Sequence, residues 1–180
     1  MHNTKAPFEY LTELAKQVKL AAPELPAQRE IRDTWSGIGF SILNHRFVAP
    51  LGEVVEMLVV PEITRLPGTQ SWVMGLANVR GRLLPLFDLE AFFGAKLASN
   101  RVRHRVLVIE LGDLYAGLIV SDVYGMQAIA QDLELDSVNE DLAIIAPYSD
   151  GAFMKEGLHW ATFSPYSLIR DPRFFDASSA

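Results

Sequence analysis

The sequence predicts an all-β protein made of two small barrels or sandwiches that pack against each other. Three observations point there. Short runs alternate apolar and polar residues with a period of two, as at Ile38, Phe40 and Ile42. Tight turns carrying glycine or asparagine separate those runs, and helical patterns are few. Finally, residues 94–104 are poor in large apolar side chains and divide the runs into two halves, each opening on a hairpin.

Residues 1–34 read differently from the rest. Phe8, Leu11, Leu14, Ala15, Val18 and Ala21 recur at spacings of three and four, with Glu9, Glu13, Lys16 and Lys19 on the other face. This spacing predicts one amphipathic helix, stopped by Pro23 and Pro26, that either docks on the body or binds a partner. From Trp35 a strand is expected, then a turn at Asn44-His45, a return strand over Arg46 to Ala49, and an end at Pro50. Val54 to Leu58 reads as the next strand, with Glu53 and Glu56 interspersed. Pro67-Gly68 marks a turn, and Thr69 to Gly75 is expected to form a helical turn capped by Thr69.

The chain is organised around Trp72 to Phe93. Apolar strands flank the polar element Asn78-Val79-Arg80-Gly81, and Asp88 is placed to cap a short helix beginning near Leu89. Arg80 and Arg82 are separated by one residue, so in an extended segment they point the same way and call for carboxylate partners. Beyond residue 104, Val106 to Ile109 and Tyr115 to Val120 form a hairpin turning at Gly112-Asp113. Asp122 to Leu135 then leads into an acidic connector, Asp136 to Asp141. Leu142 to Ala146 is expected as a strand, Phe153 to Phe163 as a hairpin turning at Glu156-Gly157, and Ser164-Pro165 as the start of a closing helix through Ile169.

Composition narrows the function. With 16 basic and 22 acidic residues the formal net charge is −6, which disfavours a phosphate backbone or an anionic membrane surface as partner. The absence of cysteine removes disulfides and thiolate chemistry. No apolar run approaches the ~18 residues of a membrane span, so direct membrane insertion is not expected and a cytoplasmic location is the default. The four histidines, His2, His45, His104 and His159, are scattered without metal-ligand spacing, and neither a nucleophile elbow nor a phosphate loop is present. These features predict no enzyme activity, no metal and no cofactor.

The chain resembles the CheW family of bacterial chemosensory coupling proteins. The resemblance runs from about Trp35 to Ile169 and rests on Leu76-Ala77-Asn78-Val79-Arg80-Gly81, Pro85 and Asp88-Leu89, with Val108, Gly117, Ile119-Val120 and Val123 in the second half. The long N-terminal segment, Trp35 to Phe40 and Asn78 to Pro85 resemble most the branch serving type IV pili and twitching motility. It implies two intertwined five-stranded SH3-like β-barrels over 35–170, divided near 94–104, with an extension at 1–34 and a tail at 171–180.

The resemblance also implies an adaptor that binds the regulatory domain of a CheA-like histidine kinase and the cytoplasmic tip of a methyl-accepting chemoreceptor, recruited to membrane-associated chemosensory arrays. It implies that Glu56 holds Arg80 and that Gly81 lets the turn form; Arg82 adds a second cation beside it. Whether the Glu56–Arg80 pair recognises a partner or only stiffens the strands stays open. Kinase contacts are expected around Met57 in the Val54 to Leu58 region and near Tyr124 and Met126. The alternative is a structural or small-molecule-sensing subunit whose pocket is the groove between the halves.

Overall fold

The computed structural model describes residues 34–95, 102–130, 136–137 and 142–178. The helix expected before Trp35, the middle of the 94–104 segment and most of the acidic connector lie outside the described residues. The elements in order are β1 (Thr34–Ile42), β2 (His45–Pro50), β3 (Val54–Val59), β4 (Val73–Val79), β5 (Arg82–Asp88), α1 (Leu89–Phe92), β6 (Arg105–Leu111), β7 (Leu114–Val120), β8 (Asp122–Ala130), a 3-10 turn (Ala146–Tyr148), β9 (Ala152–Lys155), β10 (Leu158–Thr162), α2 (Pro165–Ile169) and α3 (Pro172–Phe175).

They form two five-stranded sheets, sheet A in the order β8-β1-β2-β10-β9 and sheet B in the order β3-β6-β7-β5-β4. Two sheets of five strands match the expected count. The expected barrels do not close, because among the described residues no backbone pairing joins β8 to β9 or β3 to β4; sheet A curls into a half-barrel and sheet B stays open.

The chain order shows how the sheets are intertwined. The runs β1 to β5 and β6 to β10 each contain a hairpin, an outer strand and a second hairpin ending in a capped helical turn. The first two strands of each run join the last three of the other through a parallel pairing, β2 with β10 and β7 with β5. Register makes the correspondence residue by residue. Gly39 lies between Val48 and Gly125, as Val108 lies between Gly117 and Glu56. Val48 pairs with Thr162 as Gly117 pairs with Leu86. The exposed edges of β4 and β9 are each covered by a two-bond bridge, Leu76 with Thr64 and Ala152 with Asp136. Such covering satisfies backbone groups that would otherwise invite strand addition.

Alternation puts Phe40, Ile42 and Phe47 of sheet A and Leu107, Ile109 and Leu118 of sheet B into one continuous core. Phe40, Phe47 and Phe163 meet there with ring centroids 5.6 to 6.2 Å apart. Burying each such side chain contributes about 1.5–3 kcal/mol. At the junction of the sheets Glu90 is 4% exposed, and its Oε1 accepts from the Leu43 backbone N–H and from the Ser121 hydroxyl.

Several local expectations change. The first turn is Leu43-Asn44, both in left-handed geometry, so His45 already belongs to β2. Thr69 caps no helix: its hydroxyl donates to the Leu66 carbonyl and its backbone bridges to Ser178, while Val73 to Gly75 enter β4. Leu142 to Ala146 form turns leading into the 3-10 turn, where Pro147 suits the first helical positions and would break a central strand. Asp88 and Ser164 cap α1 and α2 as expected, accepting from Ala91 N at 2.9 Å and Ser167 N at 3.1 Å.

Residues 171–178, expected as a tail, carry α3 and dock on the body. Phe174 is 1% exposed and lies 4.7 Å from the Phe87 ring and 5.7 Å from that of Phe92. The Tyr148 hydroxyl donates to Asp171, and the Arg173 guanidinium donates to both. Burial and the Asp171 carboxylate push the Tyr148 hydroxyl up to about 12, while the Arg173 hydrogen bonds hold the Asp171 carboxyl well below its usual range.

Candidate protein-docking site

Arg80 and Gly81 form the two-residue turn between β4 and β5, with φ of +51° and +82°. Two successive left-handed residues are the type I′ pattern that suits the twist of a hairpin, and glycine adopts it without strain. The Asn78 side-chain oxygen accepts from the Gly81 N–H at 2.9 Å, which ties the turn to the end of β4. From this turn the Arg80 guanidinium reaches across the open edge of sheet B to Glu56 on β3, with Nη2 2.5 Å from the carboxylate. The expected pair is therefore formed.

The Arg80 side chain is 78% exposed and that of Glu56 24%. A pair this exposed contributes only about 0–1 kcal/mol to stability, because water screens it and holding long side chains costs entropy. Most of the guanidinium's donors face solvent and are open to an acceptor from outside.

Arg82 does not point with Arg80, since the left-handed turn residues break the extended geometry that would align them. It lies over the Tyr115 ring at 3.8 Å and reaches Glu110 at 3.3 Å. Each arginine has its own acid. Sequence reasoning missed Glu110 and Tyr115; their cross-strand pairing beside the Gly112-Asp113 turn of the β6–β7 hairpin is the signal that identifies them.

The apolar candidates fall on outer strands. β3 presents Val55, Met57 and Val59 to solvent, with Met57 44% exposed. β8 presents Tyr124, Met126 and Ala128, with Met126 67% exposed. Register makes Met57 and Met126 equivalent. Each strand also carries a bulge at the equivalent residue, Val55 opposite the step from Ile109 to Val108 and Tyr124 opposite the step from Gly39 to Phe40. The structure thus brings Glu56, Met57, Arg80 and Gly81 together at the edge of sheet B and sets Tyr124 and Met126 apart on sheet A. Arg82 lies farther along sheet B, over β7 and β6.

Among the described residues no three His, Asp or Glu side chains are grouped to hold a metal. One recess of about 260 Å³ is lined by Ser41, Asn44, His104, Ser121 and Tyr124 and crossed by the Arg103–Asp122 ion pair. It is smaller than typical ligand pockets of about 300–1,000 Å³, and its lining is about as polar as it is apolar, where most are mainly apolar. Asp88, a potential acid, is committed to capping α1, and burial raises its carboxyl above the usual value of 3.8.

The CheW-like domain family matches residues 36–171. Protein PilI of Pseudomonas aeruginosa is 43% identical over 178 residues, covering 99% of both chains, so the likeness includes the segment before Trp35. Protein FrzA of Myxococcus xanthus is 31% identical over 60% of this chain and 68% of its own. The structure of the scaffolding protein TtCheW from Thermoanaerobacter tengcongensis superposes with a TM-score of 0.64 at 21% identity, over 73% of this chain and 89% of its own, and supports the fold. With a family match over most of its length and a near full-length relative, this chain belongs to the CheW-like domain family.

Proposed function

We infer that the chain is a non-enzymatic adaptor that links a methyl-accepting chemoreceptor to a CheA-like histidine kinase, in a chemosensory system controlling type IV pili and twitching motility. The observation that carries this reading is the pair of equivalent outer strands, β3 and β8, each offering an exposed apolar stripe with a methionine at the same place. Two docking strands on one small body let the kinase side be held at two places, while the exposed Arg80 turn stays available to a second partner. The kinase's regulatory domain takes the strands through Met57, Tyr124 and Met126, and Arg80, prepared by Glu56 and Gly81, receives carboxylates from the glutamate-rich receptor tip. Arg82, paired with Glu110 and lying over Tyr115, borders this surface. The protein acts in the cytoplasm and reaches the membrane only through its receptor partner.

Titration against the purified regulatory domain and against a receptor-tip fragment tests this. Both are expected to bind, and Met57→Asp is expected to abolish the kinase interaction while the circular dichroism spectrum is preserved. Failure of either partner to bind the intact chain sinks the reading. The segment 1–34 has its own period and is proposed to be dispensable for folding of the body. Its deletion leaves a soluble, cooperatively melting product; an aggregated one makes it an integral core element.

A further inference from the structure

We propose that Lys155 and Gln127 form the positioning pair of the β8 docking strand, bridging the open edge of sheet A where Glu56 and Arg80 bridge that of sheet B. The proposal rests on the reading of β8 as a surface for the kinase's regulatory domain.

Two features leave β8 in need of such a support. Its bulge places Tyr124 outside the regular ladder, and the next residue, Gly125, has φ of +75° and no Cβ to restrict the backbone to one path. At the equivalent place in β3 stands Glu56, whose carboxylate is held by Arg80. Glycine supplies no carboxylate, and the residue equivalent to Arg80 in the β9–β10 turn is Glu156, so that pair has no direct counterpart in sheet A.

The support lies nearby instead. The Gln127 side chain donates from Nε2 to the Tyr124 carbonyl at 3.2 Å, closing a loop around the bulge. Its Oε1 accepts from Lys155 Nζ at 2.6 Å, across the gap between the two edge strands of sheet A. One amide therefore holds the bulged carbonyl with one end and β9 with the other. Met126, the most exposed residue of the stripe, lies between the two residues so tied. Gln127 touches the docking strand at the Tyr124 carbonyl and Lys155 acts through Gln127, so their role is to set the path of Tyr124 to Gln127 before a partner arrives. Preorganised strands lose less entropy on binding.

The test uses the full chain in native, Lys155→Ala, Gln127→Leu, Lys155→Arg and Met126→Asp forms, titrated with the purified regulatory domain of the CheA-like kinase from the same organism. Melting temperature and amide hydrogen exchange over Tyr124–Gln127 are recorded without partner. Lys155→Ala and Gln127→Leu are expected to weaken binding about fivefold, the worth of one lost hydrogen bond. They are expected to speed exchange of those amides and to shift the melting temperature by only a few degrees. Lys155→Arg restores affinity and protection. If Met126→Asp loses binding while Lys155→Ala leaves affinity and exchange unchanged, β8 docks without the pair and the proposal falls. If Met126→Asp binds like the native chain, the reading of β8 itself falls. A large drop in melting temperature that arginine does not restore assigns the pair to general stability and also overturns the proposal.

Discussion

Sheets A and B share strand order, parallel joint, bulge, left-handed turn and helix cap, but their open edges are bridged by different chemistry. Sheet B uses a charged pair, Arg80 with Glu56, that is largely in water. Sheet A uses a lysine and an amide, Lys155 with Gln127, that is partly buried. Backbone geometry constrains the turn, where residues 80–81 and 156–157 all have positive φ, and leaves the bridging groups free to differ. The side chains at the two seams therefore carry what distinguishes one face of the adaptor from the other, and the shared backbone does not.

The largest effect expected from breaking this correspondence is Phe174→Ala. Phe174 backs β5 and α1 of sheet B through Phe87 and Phe92. Truncating a buried phenylalanine costs about 3–5 kcal/mol. A calorimetric melt should show a loss of that size, and exchange should rise first in β4 and β5. Uniform exchange across both sheets would show that the two unfold as one unit with no local dependence on the C-terminal element.

Next come the paired variants Met57→Asp and Met126→Asp. Both residues are substantially exposed, so folding is retained, while a charge in a docking stripe is expected to cost about 2 kcal/mol or more of kinase binding in each case. Equal losses sharpen the correspondence between β3 and β8; a loss in only one makes the docking one-sided.

Arg80→Lys probes the seam. Lysine keeps the charge but loses the planar fork, and one truncated charge-assisted contact is worth roughly 1–3 kcal/mol of binding. Titration against the receptor-tip fragment should show that loss with the melting temperature within a few degrees of native. Unchanged affinity with a large thermal loss would leave Arg80 as a structural residue only.

The smallest effects separate the two helix caps. Burial raises the Asp88 carboxyl, so the folded state holds that proton more tightly than the unfolded chain. Its contribution to stability therefore falls as pH rises from below the usual 3.8 through the raised folded value. Asn retains the capping oxygen, so Asp88→Asn should melt higher than native at pH 7 and converge with it in acid. Ser164→Ala should cost about 1 kcal/mol with no such pH dependence. Parallel melting curves for Asp88→Asn and native across pH would remove the burial argument.

Much of this architecture is legible in the sequence because short-range chemistry dictates it. The turns at 80–81, 112–113 and 156–157, the caps at Asp88 and Ser164 and the alternation of β1 all follow from local residue type. Thr69 was misread because a distant partner, Ser178, bridges to it, whereas beside Leu142 to Ala146 the local cue Pro147 already opposed a strand and Tyr148 joins the distant Asp171. The Glu56–Arg80 contact entered through family resemblance, since the two residues lie on opposite edges of an open sheet. Lys155 escaped for the same reason, and Glu110 because β7 lies between its strand and that of Arg82. Their partners, Gln127 and Arg82, are 28 residues away in each case, so residue type alone does not announce the contact.

The exchange of strands between the two runs also sets a timetable for synthesis. Sheet B is complete within the contiguous stretch ending at Val120, whereas β1 and β2 at the start of the body wait for β10, which ends at Thr162. At about 5–20 residues per second the ribosome takes seconds to deliver what they need. Throughout that interval Phe40 and Phe47 lack Phe163, the ring that both of them touch in the finished fold. A ribosome-bound chain stalled with residue 120 just outside the exit tunnel should show protected β3 to β7 and an unprotected first hairpin. Equal protection of both would mean that the early strands find a temporary partner. The same aromatic pair that anchors the finished core is thus the segment a holding chaperone would meet first.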